Sequence, residues 1–455
     1  GGGSGGSVGT GGSGGGGKGG MGGGAGGAGG SGSGGQGGST GGSGGDPEEP
    51  GTDWLNDPGI WTEVEIEEPP SDLQIFEGDP QRFDFPALVW EEDCGPGCSS
   101  STLKFSDDTN LVTLGMPFPS ASGENQAYLA VFHHVREANS SFHRMIRLSD
   151  GATIDALKFS PSNSLVEMSH TLGSWRHGPG IFSVEHPTGE GHLWAAFNPA
   201  SGWDFKNPWT RISSWCNEFA LAGEPPVVLF ACQDGIQAMK DWGSSSLTLL
   251  PESASSAVGA GNHGVAVWAQ HFFEAGRGAY SRISAWSPED DLRTIAEVAG
   301  AVCGLAVARN HVAGIRGEGV PGPTCRNHPS ASPRFFWVSE DGTVSEGPVL
   351  AEQARIGGKM WTTADYTAAT VVFPSGEAGG SESTHVILVR HADGKMRRFS
   401  PPSGYQMAWA TVALDDESLY FTRWSDGLAS AFDRVLRYRL DRFDEIGTPH
   451  PPEGD

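Results

Sequence analysis

Residues 305–317, LAVARNHVAGIRG, and residues 258–270, VGAGNHGVAVWAQ, follow the same pattern. In each stretch a run of small apolar residues is interrupted by an Asn-His pair and then resumes. Asn tolerates the left-handed backbone conformation that tight turns need. Small residues suit strands that converge in a crowded centre. The two stretches therefore predict one hairpin, repeated in successive structural modules and joining the innermost strand of each module to the second.

A second repeated feature is a turn that follows an apolar strand. Asp-Gly between alternating runs is a strong hairpin signal, because Gly accepts a positive φ. The turns recur every 39 to 56 residues, with a mean spacing of 48.5 residues. They are centred on Asp150, Gly189, Asp234, Asp290, Asp341, Asp393 and Asp441. Periods of about 40–50 residues made of short strands are typical of a propeller with one four-stranded sheet per blade.

The fold class predicted from this spacing is all-β, a seven-bladed β-propeller. Six or eight blades, or two packed sandwiches, remain open alternatives. The same first hairpin is expected in residues 360–374 and around Asp415-Asp416. Ring closure is expected to bring the strand at 101–105, STLKF, beside the strand at 435–440, VLRYRL.

Composition divides the chain into three parts. In residues 1–45, 30 of the 45 residues are Gly, so this segment cannot bury enough apolar surface to order itself and is expected to be a disordered tether. Residues 46–85 form an acidic, mostly extended segment, and residues 86–450 form the propeller. Residues 46–93 carry 16 acidic residues against one basic residue, Arg82.

The net charge of −26 disfavours nucleic acid and anionic membrane surfaces as partners. No apolar run approaches the ~18 residues that span a bilayer, so we expect no transmembrane segment. The first residue is Gly, which leaves open a processed chain with a lipid anchor upstream of Gly1. We expect a monomer.

The six cysteines fall into three local pairs. The spacing favours disulfides between Cys94 and Cys98, between Cys216 and Cys232, and between Cys303 and Cys325. Gly-Pro-Gly between the first two can turn tightly enough for bridging. Three local pairs indicate an oxidising compartment, extracellular or in the cell envelope; six buried thiols in a cytosolic protein are the alternative.

Catalytic signatures are missing from the part expected to fold. GxSxG occurs only in the Gly-rich head, HExxH does not occur, and SEDGTVSE (339–346) departs from the sialidase Asp-box and indicates an ordinary hairpin. We therefore predict no catalytic residue, no metal ligand and no cofactor. Calcium held by oxygens from separate blades remains open, although no DxDxDG loop is present.

The candidate binding residues lie mainly in WAAFNPASGWDFKNPWTRISSW (194–215). NPASG and KNP predict loops there, and Trp in an exposed loop suits a sugar ring or a protein hot spot. Blade-to-blade packing is the alternative role for these tryptophans. Two histidines from the repeated hairpins, His263 and His311, are expected to lie on one face of the ring and to line a shared site. The alternative is that both are solvated turn residues. The candidates are Trp203, Asp204, Lys206, Trp209, Arg211, Trp175, His263 and His311.

Two short stretches resemble known propeller repeats. LYFTR (419–423), preceded by ALDDES, is similar to the Tyr-Trp-Thr-Asp type of bacterial repeat, with Phe for the second aromatic residue and Arg for the last Asp. LKFSP (157–161) resembles the Phe-Ser-Pro of TolB-type repeats without the following Asp-Gly. The Gly/Ser head is similar to the tether of bacterial surface lipoproteins, especially those of myxobacteria. These resemblances imply a secreted or envelope-exposed propeller, on the outer membrane surface or in the periplasm.

Two hypotheses about function follow. The first is a non-enzymatic binding or scaffold propeller whose ligand is a glycan or a protein, including use as an adhesion module. The second is a propeller hydrolase or lyase acting on glycans or peptides, with an active site gathered from several blades. Three or more ionisable groups converging at one end of the channel would favour the enzyme.

Overall fold

The computed structural model describes the backbone of the strands given below and the side chains of about a third of the chain. The residues described with their side chains are 85–105, 144, 146–153, 265, 267–285, 293–308, 311–317, 333–351, 354–356, 360–373, 384–400, 412–422 and 434–451. The chain divides into two units, residues 1–48 and 49–455, and all described residues belong to the second. The boundaries expected from composition, at residues 45 and 85, stay predictions.

The strands form seven antiparallel sheets of four or five strands, which we number I to VII in chain order. Four strands precede them: β1 (Trp61–Val64), β2 (Gln81–Arg82), β3 (Trp90–Glu92) and β4 (Ser100–Lys104). The strands of sheet I are β5 (Leu111–Leu114), β8 (Tyr128–Val135), β9 (Ser140–Arg147) and β10 (Thr153–Phe159), while β6 (Phe118–Pro119) and β7 (Asn125–Gln126) pair separately.

Sheets II to IV each contain four consecutive strands. Sheet II has β11 (Glu167–Ser174), β12 (Gly180–Glu185), β13 (His192–Asn198) and β14 (Gly202–Thr210). Sheet III has β15 (Cys216–Ala222), β16 (Val227–Cys232), β17 (Gly235–Met239) and β18 (Ser246–Leu249). Sheet IV has β19 (Ala257–Asn262), β20 (Val265–Glu274), β21 (Gly278–Ser287) and β22 (Asp290–Ala299).

The remaining sheets complete the chain. Sheet V has β23 (Ala301–Val307), β24 (His311–Gly317), β25 (Arg334–Ser339) and β26 (Val344–Val349). Sheet VI has β27 (Arg355–Thr362), β28 (Tyr366–Phe373), β29 (Ser383–Arg390) and β30 (Met396–Phe399). Sheet VII has β31 (Val412–Leu414), β32 (Ser418–Trp424) and β33 (Phe432–Arg439), followed by a 3₁₀ helix (Leu440–Glu445) and β34 (Thr448–His450).

Sheet VII is completed by the beginning of the chain. Strand β4 pairs antiparallel with β33, with Lys104 opposite Arg434 and Ser100 opposite Tyr438, and β3 pairs with β4. The pairing of 101–105 with the last long strand is therefore confirmed. Leu103 of β4 is fully buried, so the closing strand contributes directly to the core.

Three outer edges carry an extra strand from a distant part of the chain. Strand β1 pairs with β18 at the edge of sheet III, β2 with β10 of sheet I, and β34 with β30 of sheet VI. The acidic segment before residue 86 thus contributes two strands to the sheets. The added strands become the new edges and are only four, two and three residues long, and very short edge strands limit pairing with another chain.

The described core lies between neighbouring sheets. One cluster joins sheets V and VI through Phe335, Ile356 and Ile387, and another joins sheets IV and V through Ile283 and Phe336. A third joins sheets VI and VII to the closing strand. The first strands of sheets IV, V and VI are in contact with one another in that order.

Small residues in the first strands are needed for this packing. Strand β23 is buried along its whole length. A Cβ added at Gly304 would lie 2.7 Å from the sulfur of Met360, on the first strand of the next sheet. Within sheet V, Gly314 on the second strand is opposite Phe336, and a Cβ added there would lie 2.3 Å from the Phe336 ring. The expectation that small residues mark the crowded strands is confirmed in sheet V.

The first hairpins of four successive sheets are confirmed. Residue 262 pairs with 265 in sheet IV. The backbone N–H groups of Ala308, Thr363 and Asp415 donate to the carbonyls three residues on, at 2.9, 2.8 and 3.1 Å. All four turns join the first strand to the second. The Asn-His pairs do not coincide, however: Asn262 occupies the first position of its turn, whereas His311 occupies the last position of its own.

The Asp-Gly turns at 150, 341 and 393 are hairpins between third and fourth strands, as expected. Gly151, Gly342 and Gly394 have φ values of 73°, 82° and 68°, which favour glycine. In each turn the preceding Asp accepts a hydrogen bond from the backbone N–H two residues on, at 3.0 to 3.2 Å. The carboxylates are therefore part of the turn structure, and the Asp-box-like stretch at 339–346 is an ordinary hairpin.

Three of the predicted turns occupy other positions. Gly189 and Asp234 themselves lie outside the described residues, but the strands around them show second-to-third hairpins, β12–β13 and β16–β17. Asp441 lies in the 3₁₀ helix, where it accepts from Arg439. Because β4 already fills the fourth place in sheet VII, the chain after β33 leaves that sheet and pairs with sheet VI as β34.

The disulfide between Cys94 and Cys98 is confirmed, with their Cα atoms 5.4 Å apart. Cys216 and Cys232 lie directly opposite each other on β15 and β16, a position that suits a bridge. Cys303 is also disulfide-bonded. Because Cys325 lies outside the described residues, its pairing with Cys303 stays a prediction.

Candidate functional site

The best-described polar cluster lies where the hairpin turns of sheets V and VI meet. We call it the turn edge and define it by residues 308–311, 337–343, 362–367 and 390–395. The first-to-second and third-to-fourth turns of a four-stranded meander lie at the same end of its sheet, so side chains distant in sequence meet there. The backbone N–H of His391 donates to the carbonyl of Asp365, 2.8 Å away, and joins the two turns of sheet VI.

A chain of hydrogen bonds links two histidines at the turn edge through two threonines. Nε2 of His311 lies 3.0 Å from Oγ1 of Thr362, which lies 3.0 Å from Oγ1 of Thr367. Oγ1 of Thr367 lies 2.8 Å from Nε2 of His391. Nε1 of Trp337 donates to the same threonine oxygen at 3.3 Å. The chain connects β24 of sheet V with both turns of sheet VI.

Counting the available hydrogens shows which groups donate and which accept in this series of hydrogen bonds. Nδ1 of His391 lies 2.9 Å from the carbonyl of Ala364, which can only accept, so Nδ1 carries the proton. Neutral His391 then accepts at Nε2 from Thr367. Each hydroxyl has one hydrogen, so Thr367 has none left for Thr362. Thr362 directs its own hydrogen to Thr367 or to the carbonyls of Thr363 and Tyr366, at 3.3 and 3.2 Å. In each case it accepts from Nε2 of His311.

Burial keeps both imidazoles neutral. It lowers the pKa of His311 from 6.5 to about 4, with a smaller contribution from His391, while Asp365 acts in the opposite direction. The pKa of His391 is lowered mainly by burial too, opposed by its hydrogen bond to the Ala364 carbonyl and by Asp365. The two rings are in edge-to-face contact, with centroids 5.0 Å apart. Protonating either ring would place a charge in this contact.

The ion pairs of the turn edge also hold its turns. Arg390 donates to both carboxylate oxygens of Asp393, at 3.1 and 2.7 Å, and to Asp444 at 3.3 Å. The hydrogen bond from Arg390 is the main reason why the pKa of Asp393 is lowered. Arg147 and Asp150 form the same pair in sheet I. The carboxylates of Asp393 and Asp150 are thus engaged within their own turns.

Of the candidate binding residues, only His311 has a described side chain. Trp203, Asp204, Lys206 and Trp209 lie on β14, the outer strand of sheet II. Trp175, Arg211 and His263 lie outside the described residues. The structure therefore places His311 and the β14 group on different sheets, and the binding roles stay predictions.

The KNP stretch corrects the loop expectation. Residues 206–208 lie inside β14, where the pairing with β13 shifts between His192 and Trp194. An edge strand tolerates a register shift and a proline, because the N–H group that proline lacks can be on the side without a neighbouring strand. The NPASG stretch does connect two strands, because β13 ends at Asn198 and β14 begins at Gly202.

Sequence reasoning missed Thr362, Thr367, Trp337 and His391. Each lies in or beside a hairpin that the sequence did predict, but nothing local shows which hairpins meet. One signal was available: in a four-stranded meander the first-to-second turn and the third-to-fourth turn lie at the same end of the sheet. It would have placed His391, two residues before a predicted Asp turn, close to the turn at 363–366.

No group of three or more His, Cys, Asp or Glu side chains with suitable geometry for a metal ion occurs in the part of the chain that the structure describes. Calcium held between blades stays an open expectation. Across the described residues, no helix has the length and apolar character needed to cross a bilayer.

The neutral histidine pair predicts a pH-dependent stability. Folding lowers both pKa values, so the contribution of the pair to the unfolding free energy is complete above about pH 6.5. For His311 it is lost as the pH falls towards about 4, and the contribution of His391 falls in the same direction. For the pair we expect a loss on the order of 1–2 kcal/mol, since solvent screens half-buried groups. Urea unfolding across this range should show a shallower pH dependence in the double variant His311→Gln/His391→Gln. If the unfolding free energy changed equally with pH in the wild type and in the double variant, the effect would not come from His311 and His391. The other histidines with lowered pKa values, His271 and His385, are present in both proteins.

Comparisons with known proteins show only distant structural similarity. No family model and no curated protein matches the chain. The chain is similar to the β-propeller domain of the Trilobed protease from Pyrococcus furiosus, at 8% identity and a TM-score of 0.44, over 72% of this chain and 94% of that one. It is also similar to the polysaccharide lyase Uly1, at 8% identity and a TM-score of 0.38, over 74% of this chain and 91% of the other.

A third solved structure, apo AztD from Citrobacter koseri, matches at 8% identity with a TM-score of 0.31, over 77% of this chain and 98% of that one. At such low identity and TM-score, these likenesses carry no argument about activity. The chain is thus an all-β protein whose similar solved structures include a β-propeller domain. The resemblance to YWTD and TolB repeats, and to myxobacterial lipoproteins, stays a prediction.

Proposed function

We propose that residues 86–450 form a seven-bladed β-propeller that acts as a non-enzymatic binding or scaffold protein. Seven sheets in chain order, with first strands in contact and a closing strand from the chain's beginning, support this architecture. Strand β5 of sheet I contacts both β11 of sheet II and β32 of sheet VII, which agrees with a ring.

The observation that carries the binding role is the state of the titratable groups at the turn edge. A general acid or base works best with a pKa near the operating pH. His311 is instead held neutral, with its pKa at about 4, and donates within the hydrogen-bond chain. Asp341 and Asp393 accept from their own turns. These three groups are engaged in structural hydrogen bonds, which supports a non-enzymatic role.

The ligand that we propose is a glycan or a protein. Trp203 and Trp209, with Asp204 and Lys206 between them, lie on the outer strand of sheet II. An edge strand that bears tryptophans offers flat apolar faces with polar N–H groups. Trp175, Arg211, His263 and His311 complete the candidate set taken from the sequence.

The Cys94–Cys98 disulfide supports a location outside the reducing cytosol. We propose that the protein is secreted or held at the cell envelope, on the outer membrane surface or in the periplasm, with the Gly-rich segment as its tether. Glycan hydrolysis or lyase chemistry is the alternative function, and the same experiment separates the two.

The test is a glycan and peptide array probed with the full chain and with the variants Trp203→Ala and Trp209→Ala. Trp203→Phe and Trp209→Phe are the matched controls, since they keep an aromatic face. We expect captured ligands to bind at least about tenfold more weakly to the Ala variants and to remain bound to the Phe variants. Unchanged binding in the Ala variants would remove this site. Cleavage of captured ligands, followed by new reducing ends or unsaturated products, would replace binding with catalysis.

A further inference from the structure

Two arginines lie directly opposite each other on neighbouring strands of sheet V, at the end of the sheet away from the turn edge. In the strand register, Arg316 on β24 pairs with Arg334 on β25. Arg334 lies two residues before Phe336, which packs in the core between sheets IV and V. Both arginines therefore lie on the side of sheet V that faces sheet IV. We call these two residues the arginine pair.

One carboxylate serves both members of the arginine pair. Nη2 of Arg316 donates to Oε1 of Glu346 at 2.8 Å, and Nη1 of Arg334 donates to Oε2 at 3.3 Å. Like charges directly opposite each other on a sheet repel. Glu346 is the one carboxylate that pairs with either arginine within the described residues. The three groups thus carry a net positive charge in a protein whose net charge is −26.

Hydrogen bonding in the arginine pair is incomplete. The Nε atoms of Arg316 and Arg334 are both buried, and neither has an acceptor. Arg316, whose side chain is 10% exposed, also donates from Nη1 to the carbonyl of Ala299 at 3.0 Å. Arg334 donates one hydrogen bond among the residues that the structure describes, from Nη1 to Glu346, although 29% of its side chain is exposed. An acceptor supplied by a ligand would satisfy donors that are costly to leave unpaired.

Sheets IV and V are joined at this end by the short connection between β22 and β23. Arg316 donates to Ala299, at the start of this connection. The hydroxyl of Ser281, on β21, donates to the carbonyl of Gly300 at 2.8 Å and accepts from the N–H of Val302 at 3.0 Å. Side chains of both sheets are therefore fixed around one connection.

Each of the two facing sides carries an exposed apolar side chain at this end. Phe273, at the end of β20, is 74% exposed and lies on the same face of its strand as Ala269, which packs towards sheet V. His271 lies between them on that face, and burial lowers its pKa to about 4, so it adds no charge. Val349 on β26 is 42% exposed and is opposite Arg334 in the register. Apolar surface thus accompanies the excess positive charge.

We propose that the space between these two sides binds a polypeptide segment in which an acidic residue lies next to a large apolar one. We call this space the inter-sheet groove and define it by Phe273, Arg316, Arg334 and Val349. The carboxylate would occupy the Nε–Nη2 edge of Arg334, which Glu346 does not use, and would supply a second negative charge to the arginine pair. Because Nε is covered, Arg334 turns outward on binding.

A polypeptide is the occupant that the fold favours. Short segments of this chain, β1, β2 and β34, already pair with the outer strands of three other sheets. Val349 belongs to the outer strand of sheet V, and the excess positive charge selects an acidic segment over a neutral one. The groove is separate from the tryptophans of β14, so this inference goes beyond the function proposed above.

The experiment is calorimetric titration of the full chain, at constant ionic strength, with acetyl-Leu-Glu-Phe-Glu-amide and with its counterpart that has Gln in place of Glu. We expect saturable binding of the Glu peptide and at least about tenfold weaker binding of the Gln peptide. A sulfated disaccharide, titrated in the same way, tests a glycan as the other occupant.

Variants separate the two kinds of contact. Arg334→Met should weaken binding of the Glu peptide by about tenfold or more, and Arg334→Lys should weaken it less. Phe273→Ser should weaken it by about threefold or more. Arg439→Met is the matched control, because it removes the same charge from an ion pair with Asp441 in sheet VII, and it should leave binding unchanged.

Four outcomes would overturn the proposal. They are equal affinity for the two peptides, equal weakening by Arg334→Met and Arg439→Met, tighter binding of the sulfated disaccharide than of the Glu peptide, and the absence of saturable binding. Thermal melts without peptide show whether each variant is folded. If Arg334→Met does not fold, Phe273→Ser still tests the groove, because the substitution is at an exposed position. None of these variants changes Trp203 or Trp209, so the result is independent of the array experiment.

Discussion

Gly151→Ala is expected to be among the most destabilising single substitutions in this protein. Gly151 has a φ of 73°, where an L residue costs about 1–2 kcal/mol. A Cβ at this position would also lie 2.1 Å from the carbonyl oxygen of Leu88. That oxygen is backbone, and the N–H of Leu88 donates to the carbonyl of Gly151 at 2.9 Å, so neither segment can move independently. We expect the clash to add a further ~1–3 kcal/mol.

Gly276→Ala is the matched control for this prediction. Gly276 has a φ of 95°, and an added Cβ would have no neighbour within 4 Å. The control therefore contains the backbone strain without the clash. The measurement is the urea midpoint of unfolding for both variants in the full chain. An equal loss of unfolding free energy in the two variants would show that residues 85–92 do not press against this turn.

The second large effect is expected for Asp415→Ala. Asp415 is buried, and its Oδ1 accepts from the backbone N–H groups of Glu417 and Ser418 at 3.0 and 2.7 Å. Its Oδ2 accepts from the hydroxyl of Tyr420 at 2.8 Å. Alanine would leave these donors without an acceptor, at about 1–3 kcal/mol for each buried group that water cannot reach. We expect a total loss of about 3–5 kcal/mol.

Asp341→Ala is the control, because Asp341 performs the same task in a solvent-exposed turn. It accepts from the N–H of Thr343 at 3.0 Å, and water can replace it there. Its loss should cost about 1 kcal/mol or less. Asp415→Asn, which keeps one carbonyl acceptor, should recover part of the stability lost in Asp415→Ala. Similar unfolding free energies for the two alanine variants would mean that solvent reaches the Asp415 turn.

The hairpins were predictable because their signals are local. Asn262 and the Asp-Gly pairs that begin at Asp341 and Asp393 mark turns where the chain reverses tightly. The closing pair, 101–105 with 435–440, followed from the requirement that a ring must join its ends. These inferences needed only turn chemistry and one topological rule, and the strand register bears them out.

The positions that escaped prediction depend on contacts between distant segments. A turn signal does not reveal which pair of strands it joins, so Gly189 and Asp234 marked the second hairpin of their sheets rather than the third. The KNP stretch lies in a strand, because an edge position tolerates what a central one would not. His391 and Thr367, and Arg316 and Arg334, meet only through the pairing of strands that the sequence does not specify.

The extra outer strands determine how the protein would bear a mechanical load. Tension on the Gly-rich end reaches β1 first, whose four residues pair with β18, and next β2 on β10. Only after these short ladders have peeled away would the pull arrive at β4, which completes sheet VII. The two short peripheral strands are therefore expected to separate from their sheets before the closing strand does. If the Gly-rich segment is the tether proposed above, a pull on it would reach these two short strands before it reaches the core around Leu103.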